Sequence, residues 1–161
     1  MTYRPSPPAV DPASVPRRTG SSYPKPHRQQ VEKRTKRVLG DAVGLSHFGV
    51  NLVELGPGAW SAQRHWHSAE DEFVYVLSGE LTLVTDGGRQ LLGPGMVAGF
   101  PAGTPDGHHL VNAGEETAVY LEVGDRRDSD EVRYPDIDML LTSASDGRVF
   151  CHNDGRPYDG D

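Results

Sequence analysis

From Phe48 to Val123 the chain breaks every few residues at glycine or proline, and the pieces between the breaks are short and rich in β-branched and aromatic residues. FGVNLVEL, FVYVL, ELTLVT and TAVYLEV are such pieces. Gly56-Pro57-Gly58, Ser78-Gly79, Asp86-Gly87-Gly88 and Gly93-Pro94-Gly95 are the breaks. The content of the pieces suits a pleated surface packed on one or both sides. Asp-Gly-Gly is a strong hairpin signal. Short strands with turns at roughly eight- to twelve-residue spacing predict a sandwich or barrel. The 19 glycines and 13 prolines among 161 residues extend the same character to the whole chain, whose length suits one domain.

The two ends read differently from the middle. Residues 1–30 hold seven prolines, which disfavour helix and ladder pairing and predict an extended arm. Val31–Leu39 is compatible with a short helix or an edge strand. The expected division is an arm over 1–40, a barrel over 41–150 and a flexible tail over 151–161. The arm is basic, with nine Lys or Arg against two acids, whereas residues 41–161 carry seven arginines and no lysine against 21 acids. A cationic tail is a candidate for nucleic acid, but the acidic body repels phosphate backbones, so the arm is expected to lie on its own barrel or on a second subunit's. A homodimer follows from that arm and from the exposed strand edges of such a fold. The lone Cys151 permits no internal disulfide, and no apolar run approaches the roughly 20 residues of a membrane span. MTYRPSPPAV lacks the apolar stretch of a signal peptide. A cytoplasmic protein with no membrane or nucleic-acid partner is the expectation.

Residues 58–79 carry the chemistry. His65 and His67 share a face if the segment is extended, and Glu72 lies beyond a short polar break that can return the chain beside them. Two imidazoles and a carboxylate from neighbouring strands form a metal half-site. Set against this, any single surface histidine is far more often solvated than ligating. A second stretch, GMVAGFPAGTPDGHHLVN, holds a further histidine pair before an apolar strand. Arg64 points away from His65 by alternation and is left out of the site. Asp106 and His109 are candidates for acid–base or gating roles. Trp60, Trp66, Tyr75 and Phe100 are pocket-lining candidates, although aromatics in a β core more often serve packing.

Together the two stretches resemble the motifs of the cupin superfamily. Gly58, His65, His67, Glu72 and Gly79 match the first motif, and Gly95, Pro101, Gly103, His108 and Asn112 the second. Six residues separate Gly58 from His65, one more than the family pattern, and four separate Gly103 from His108, two more; both extras fall in turns. The second extra leaves His108 and His109 as alternatives, and the three-residue step to Asn112 favours His108. The resemblance implies an all-β, cupin-type double-stranded β-helix, a jelly-roll barrel with the N-terminal arm appended. It implies one divalent ion held by His65, His67, Glu72 and His108. That donor set suits Fe, Mn, Ni, Co or Zn without choosing among them. The expected function is a metal-dependent enzyme of isomerase, lyase or dioxygenase type acting on a small polar molecule. The alternative is a non-catalytic small-molecule-binding or regulatory module.

Overall fold

β-branched and aromatic runs become strands, and the glycine-rich breaks become the turns between them. The computed structural model describes residues 6–145 and 147–158; the start of the arm and the last three residues of the tail lie outside it. Its strands are β1 (Arg18–Thr19), β2 (Arg34–Val38), β3 (Phe48–Leu55), β4 (Trp66–His67), β5 (Glu72–Ser78), β6 (Leu81–Thr85) and β7 (Gly88–Leu92). They continue with β8 (Val97–Phe100), β9 (His109–Val111), β10 (Ala118–Asp125), β11 (Val132–Tyr134), β12 (Met139–Ala144) and β13 (Gly147–Cys151). Three antiparallel sheets result, ordered β1-β2-β3-β10-β5-β8, β7-β6-β9 and β13-β12-β11-β4. This is the double-stranded β-helix that the motifs imply. No helix among the described residues is long and apolar enough to cross a membrane.

The barrel interior lies between the first two sheets. Val53, Leu55, Val74, Val76, Ala118 and Tyr120 from the large sheet meet Leu81, Leu83, Leu92 and Leu110 from the small one, all buried. Alternation sets this pattern: on β5 the even-numbered Val74 and Val76 face in while Phe73, Tyr75 and Leu77 face out. FVYVL reads as a strand covered on both sides, yet Phe73, Tyr75 and Leu77 are 41%, 38% and 44% exposed. No other layer of the described chain covers that face.

The first motif's last glycine, Gly79, shows why the turn there admits no side chain. Its φ is +74°, and a Cβ would meet the Ala118 backbone at 2.8 Å, so β5 and β10 could not close together.

Proline does not keep the N-terminal segment off the sheet. Arg18 and Thr19, between Pro16 and Pro24, pair with Lys36 and Thr35 of β2, and β2 pairs with β3. Val31–Leu39 therefore contributes a strand, one that β1 covers at its outer edge. Tyr23 and Val31 enter a second core with Ala62, Val132, Tyr134 and Met139, which seats this segment against the third sheet. At the other end Tyr158 N–H donates to Phe150 O at 3.0 Å, and its ring stacks on His152. Cys151 is buried.

Candidate metal centre

Strand alternation and one antiparallel bridge bring the four sequence-predicted residues together. Trp60–His67 is read from sequence as one strand, but only Trp66–His67 is a ladder strand; His65 instead bridges to His108. The two exchange backbone hydrogen bonds, His65 N to His108 O at 3.1 Å and His108 N to His65 O at 2.8 Å. This sets their rings 4.9 Å apart. Glu72 enters from the inward face of β5, opposite Gly124 of β10. Its Oε2 lies 2.8 Å from His108 Nε2, 3.5 Å from His65 Nε2 and 3.5 Å from His67 Nε2. Donor atoms of His65, His67 and Glu72 lie within 4.8 Å of one another, and His108 joins through the carboxylate.

The other ring nitrogens decide what the cluster is suited to hold. His65 Nδ1 lies 2.9 Å from the Gln63 carbonyl oxygen, which only accepts, so Nδ1 carries a proton. His67 Nδ1 lies 2.8 Å from Asp130 Oδ2 and is held the same way. In their neutral forms both imidazoles therefore aim an Nε2 lone pair at the Glu72 carboxylate. Lone pairs facing a buried anion repel, and either a proton on Nε2, as in the His65–Glu72 hydrogen bond, or a cation between the groups removes the conflict. The residues thus fit a divalent ion, with the outer hydrogen bonds that orient ligating histidines already made at His65 and His67, while His108 Nδ1 is buried without a partner among the described residues.

The ionisation of the group follows the same geometry. Burial alone would raise the Glu72 carboxyl, but the hydrogen bonds from His108 and His65 outweigh it and hold the group well below the usual carboxylate range. For His65, burial pulls the imidazole down and Glu72 more than offsets it, leaving it raised. Burial wins at His108, which is lowered. Asp130 is buried, and although that burial opposes its charge, the Ala69 N–H, His67 and Arg148 keep it lowered.

Around the cluster, Phe100 stacks flat on His108 with ring centroids 3.5 Å apart. A chamber of about 130 Å³ opens beside it, lined by His65, Glu72, His108, Phe100, Tyr120, Arg34 and Glu122 among others. On the other side Trp66, His67, Phe100, Thr104 and Asp106 line a smaller cavity of about 70 Å³.

Of the other candidates, His109 lines the chamber and Asp106 the smaller cavity, but each is held by contacts outside the cluster. His109 turns to the Ala62 carbonyl at 3.1 Å and packs edge-on against Trp60, so it is His108 that reaches Glu72. Asp106 accepts the Asp86 N–H at 2.7 Å and braces the hairpin turn. Arg64 points away, into ion pairs with Asp86 and Asp136. Tyr75 sits on the outer face. Asn112, fully buried, ties Leu55 O and Glu116 O with its amide and accepts from Gly114 N; it closes the loop behind β9.

Three chamber or support residues escape a reading of the sequence. Asp130 sits in the charged run DRRDSDE, where nothing distinguishes it from its neighbours. Glu122 and Arg34 do carry a signal, the inward parity of their strands, but it becomes informative only once the pairing of β2, β3 and β10 is known.

Comparison with known proteins agrees with this architecture. The cupin domain profile matches residues 51–124. No curated protein is significantly similar in sequence. A solved sugar phosphate isomerase from Silicibacter pomeroyi is 44% identical, with 95% of this chain and 98% of that chain covered at a TM-score of 0.90. A provisionally named sugar phosphate isomerase from Acidithiobacillus ferrooxidans is 36% identical, covering 80% and 81% of the two chains at 0.70. A polyketide cyclase from Streptomyces resistomycificus is 26% identical over 78% and 80%, at 0.57. With both histidine motifs in place on a double-stranded β-helix, and a relative of this identity along nearly its full length, the chain belongs to the cupin superfamily.

Proposed function

We propose that the protein is a metal-dependent enzyme that isomerises a small hydroxy-carbonyl compound, its divalent ion held by His65, His67, Glu72 and His108. The observation that carries this reading is the convergence of three Nε2 atoms on Glu72 Oε2 at the wall of a polar chamber. The 44%-identical relative named a sugar phosphate isomerase supports the reaction class. When bound, the ion polarises a carbonyl or hydroxyl oxygen of the substrate. Moving a proton between neighbouring carbons then needs a base in the same chamber. Glu122 is the chamber carboxylate outside the cluster. Asn51 Nδ2 donates to its Oε1 at 2.9 Å, which fixes the group and leaves its second oxygen for a substrate proton. Phe100 covers one face of His108 and excludes water there.

The test pairs metal analysis with an exchange assay. Purified protein is expected to contain a divalent ion and to exchange the carbon-bound proton of an aldose or ketose with deuterated water. Glu122→Gln should keep the ion and lose roughly 10²–10⁴ in rate, the usual contribution of a positioned base. A metal-loaded protein that binds such compounds without exchange would move it to the non-catalytic binding class.

We further infer that a second copy of the chain covers the outer face of the large sheet. Tyr75 pairs with Val97, itself 52% exposed, and Phe73 and Leu77 flank it. Apolar residues contiguous across neighbouring strands are characteristic of an interface. Leu77→Asp should halve the mass seen by sedimentation velocity, and an unchanged mass would remove this face from any dimer.

A further inference from the structure

The basic N-terminal segment forms one wall of the chamber. By alternation along β2, Arg34, Lys36 and Val38 share the inward side with Leu55, Val53 and Asn51 of β3. Arg34 lines the chamber beside His65, Glu72 and His108. Lys36 and Val38 line its mouth, a space of about 260 Å³ that also takes in Arg18, Glu72 and Glu122. Glu72 and Glu122 border both spaces, so mouth and chamber adjoin.

These three cations lack the partners their positions call for. Arg34 donates to the Ser61 and Gly20 carbonyls, yet its Nε is buried with no hydrogen-bond partner. Lys36 stands directly across the β1–β2 ladder from Arg18. Like charges in that register repel. Neither of the two forms an ion pair among the described residues, although both border a space lined with acids. Three of those acids are otherwise engaged: Glu72 belongs to the imidazole cluster, Glu70 accepts the Arg127 N–H and Asp125 pairs with Arg127. Glu122, held among the described residues only by the neutral Asn51 amide, offsets the facing cations in part. Arg126, the remaining cation of the mouth, is paired with Asp41. Burial, the largest influence on Lys36, pulls its ammonium down, and Arg34 and Arg18 push the same way while Glu122 opposes them.

The geometry points to an oxyanion subsite: Arg18 and Lys36, with Arg34 behind them, bind the phosphate of a substrate whose hydroxyl and carbonyl oxygens lie over the imidazole cluster. A phosphate monoester carries about −1.5 to −2 charges at neutral pH and presents three acceptor oxygens. That matches two facing cations with a guanidinium between them and the cluster more closely than a carboxylate's single charge and two oxygens do. The substrate class is a small hydroxy or keto phosphate. This inference rests on the chamber being the substrate site. It also gives a role to three of the nine cations of the first forty residues, which β1 and β2 bring to the chamber and its mouth.

The experiment is calorimetric titration of the metal-loaded full-length protein with inorganic phosphate, beside Lys36→Gln, Arg18→Gln and the double variant. Arg34 is left intact because it braces two backbone carbonyls. Each single substitution should weaken phosphate binding about tenfold, the loss of one charge-assisted hydrogen bond. The double variant should abolish it, with metal content and melting temperature unchanged. Phosphate binding should also persist after the metal is removed by chelation. Binding that survives in the double variant but vanishes with the metal would mean that phosphate ligates the ion, and would overturn the subsite. So would acetate binding as tight as phosphate, or no phosphate binding at all. If the protein takes up no metal, the catalytic reading fails by itself, while the same titration still decides the subsite.

Discussion

His65→Ala protein is expected to purify without metal under conditions in which the parent carries close to one divalent ion per chain. His65 is fixed by its bridge to His108 and by the Gln63 carbonyl, so its Nε2 cannot be replaced by a neighbouring side chain moving in. Losing a direct ligand should weaken binding by more than the 10–100-fold typical of losing an outer-shell partner. The second readout is stability. An ion present at a thousand times its dissociation constant stabilises the folded state by about 4 kcal/mol. Adding the ion to chelated parent protein should therefore raise the melting temperature by on the order of 10 °C in a chain of this length, and leave His65→Ala unmoved. Full occupancy in the variant would exclude His65 as a ligand. Failure of the parent to take up any divalent ion would exclude the centre altogether and leave a binding module.

The second large effect is expected at Asp130, which does not line the chamber. Both of its oxygens accept. Oδ1 takes the Ala69 N–H at 2.9 Å and the Ser68 hydroxyl at 3.4 Å, and Oδ2 takes His67 Nδ1 at 2.8 Å and Arg148 at 2.9 Å. Asp130→Asn preserves the shape but must aim an NH₂ at one of these donor sets. Facing His67, it moves the imidazole proton to Nε2 and takes that nitrogen out of the cluster. Facing Ala69, it leaves a buried N–H unpaired, at a cost of about 1–3 kcal/mol. Metal affinity should fall 10–100-fold, with a change in the His67 ring nitrogen shifts by NMR. A loss of melting temperature with metal affinity and ring shifts intact would make Asp130 a structural brace alone.

The same residues show where a linear reading stops. His65, His67 and Glu72 are legible because local rules suffice: alternation puts the two histidines on one face, and a short polar break before an apolar run returns the chain. The strand content of Phe48–Leu55 or Leu81–Thr85 is legible for the same reason, since turn residues and β-branched runs act within a few positions. The ambiguity between His108 and His109 is of another kind. Neighbouring strand residues face opposite sides, and only the bridge to His65 shows which side holds Glu72. The exposed outer face of β5 is likewise invisible in FVYVL, because an apolar residue reads the same whether a layer covers it or not.

Asp130 and Arg34 mark the limit. Asp130 lies 63 residues beyond the His67 it holds, in a run of interchangeable acids, and Arg34 reaches its chamber only after β2 joins β3. The sequence by itself determined the strand-and-turn alphabet of the barrel and the shared face of His65 and His67, both consequences of backbone sterics over a few residues, and the chemistry of the donor set. Only the tertiary structure decided which inward faces share a chamber, since strand pairing at long range sets those distances. By that pairing an arm rich in proline and charge becomes the cationic wall of the site.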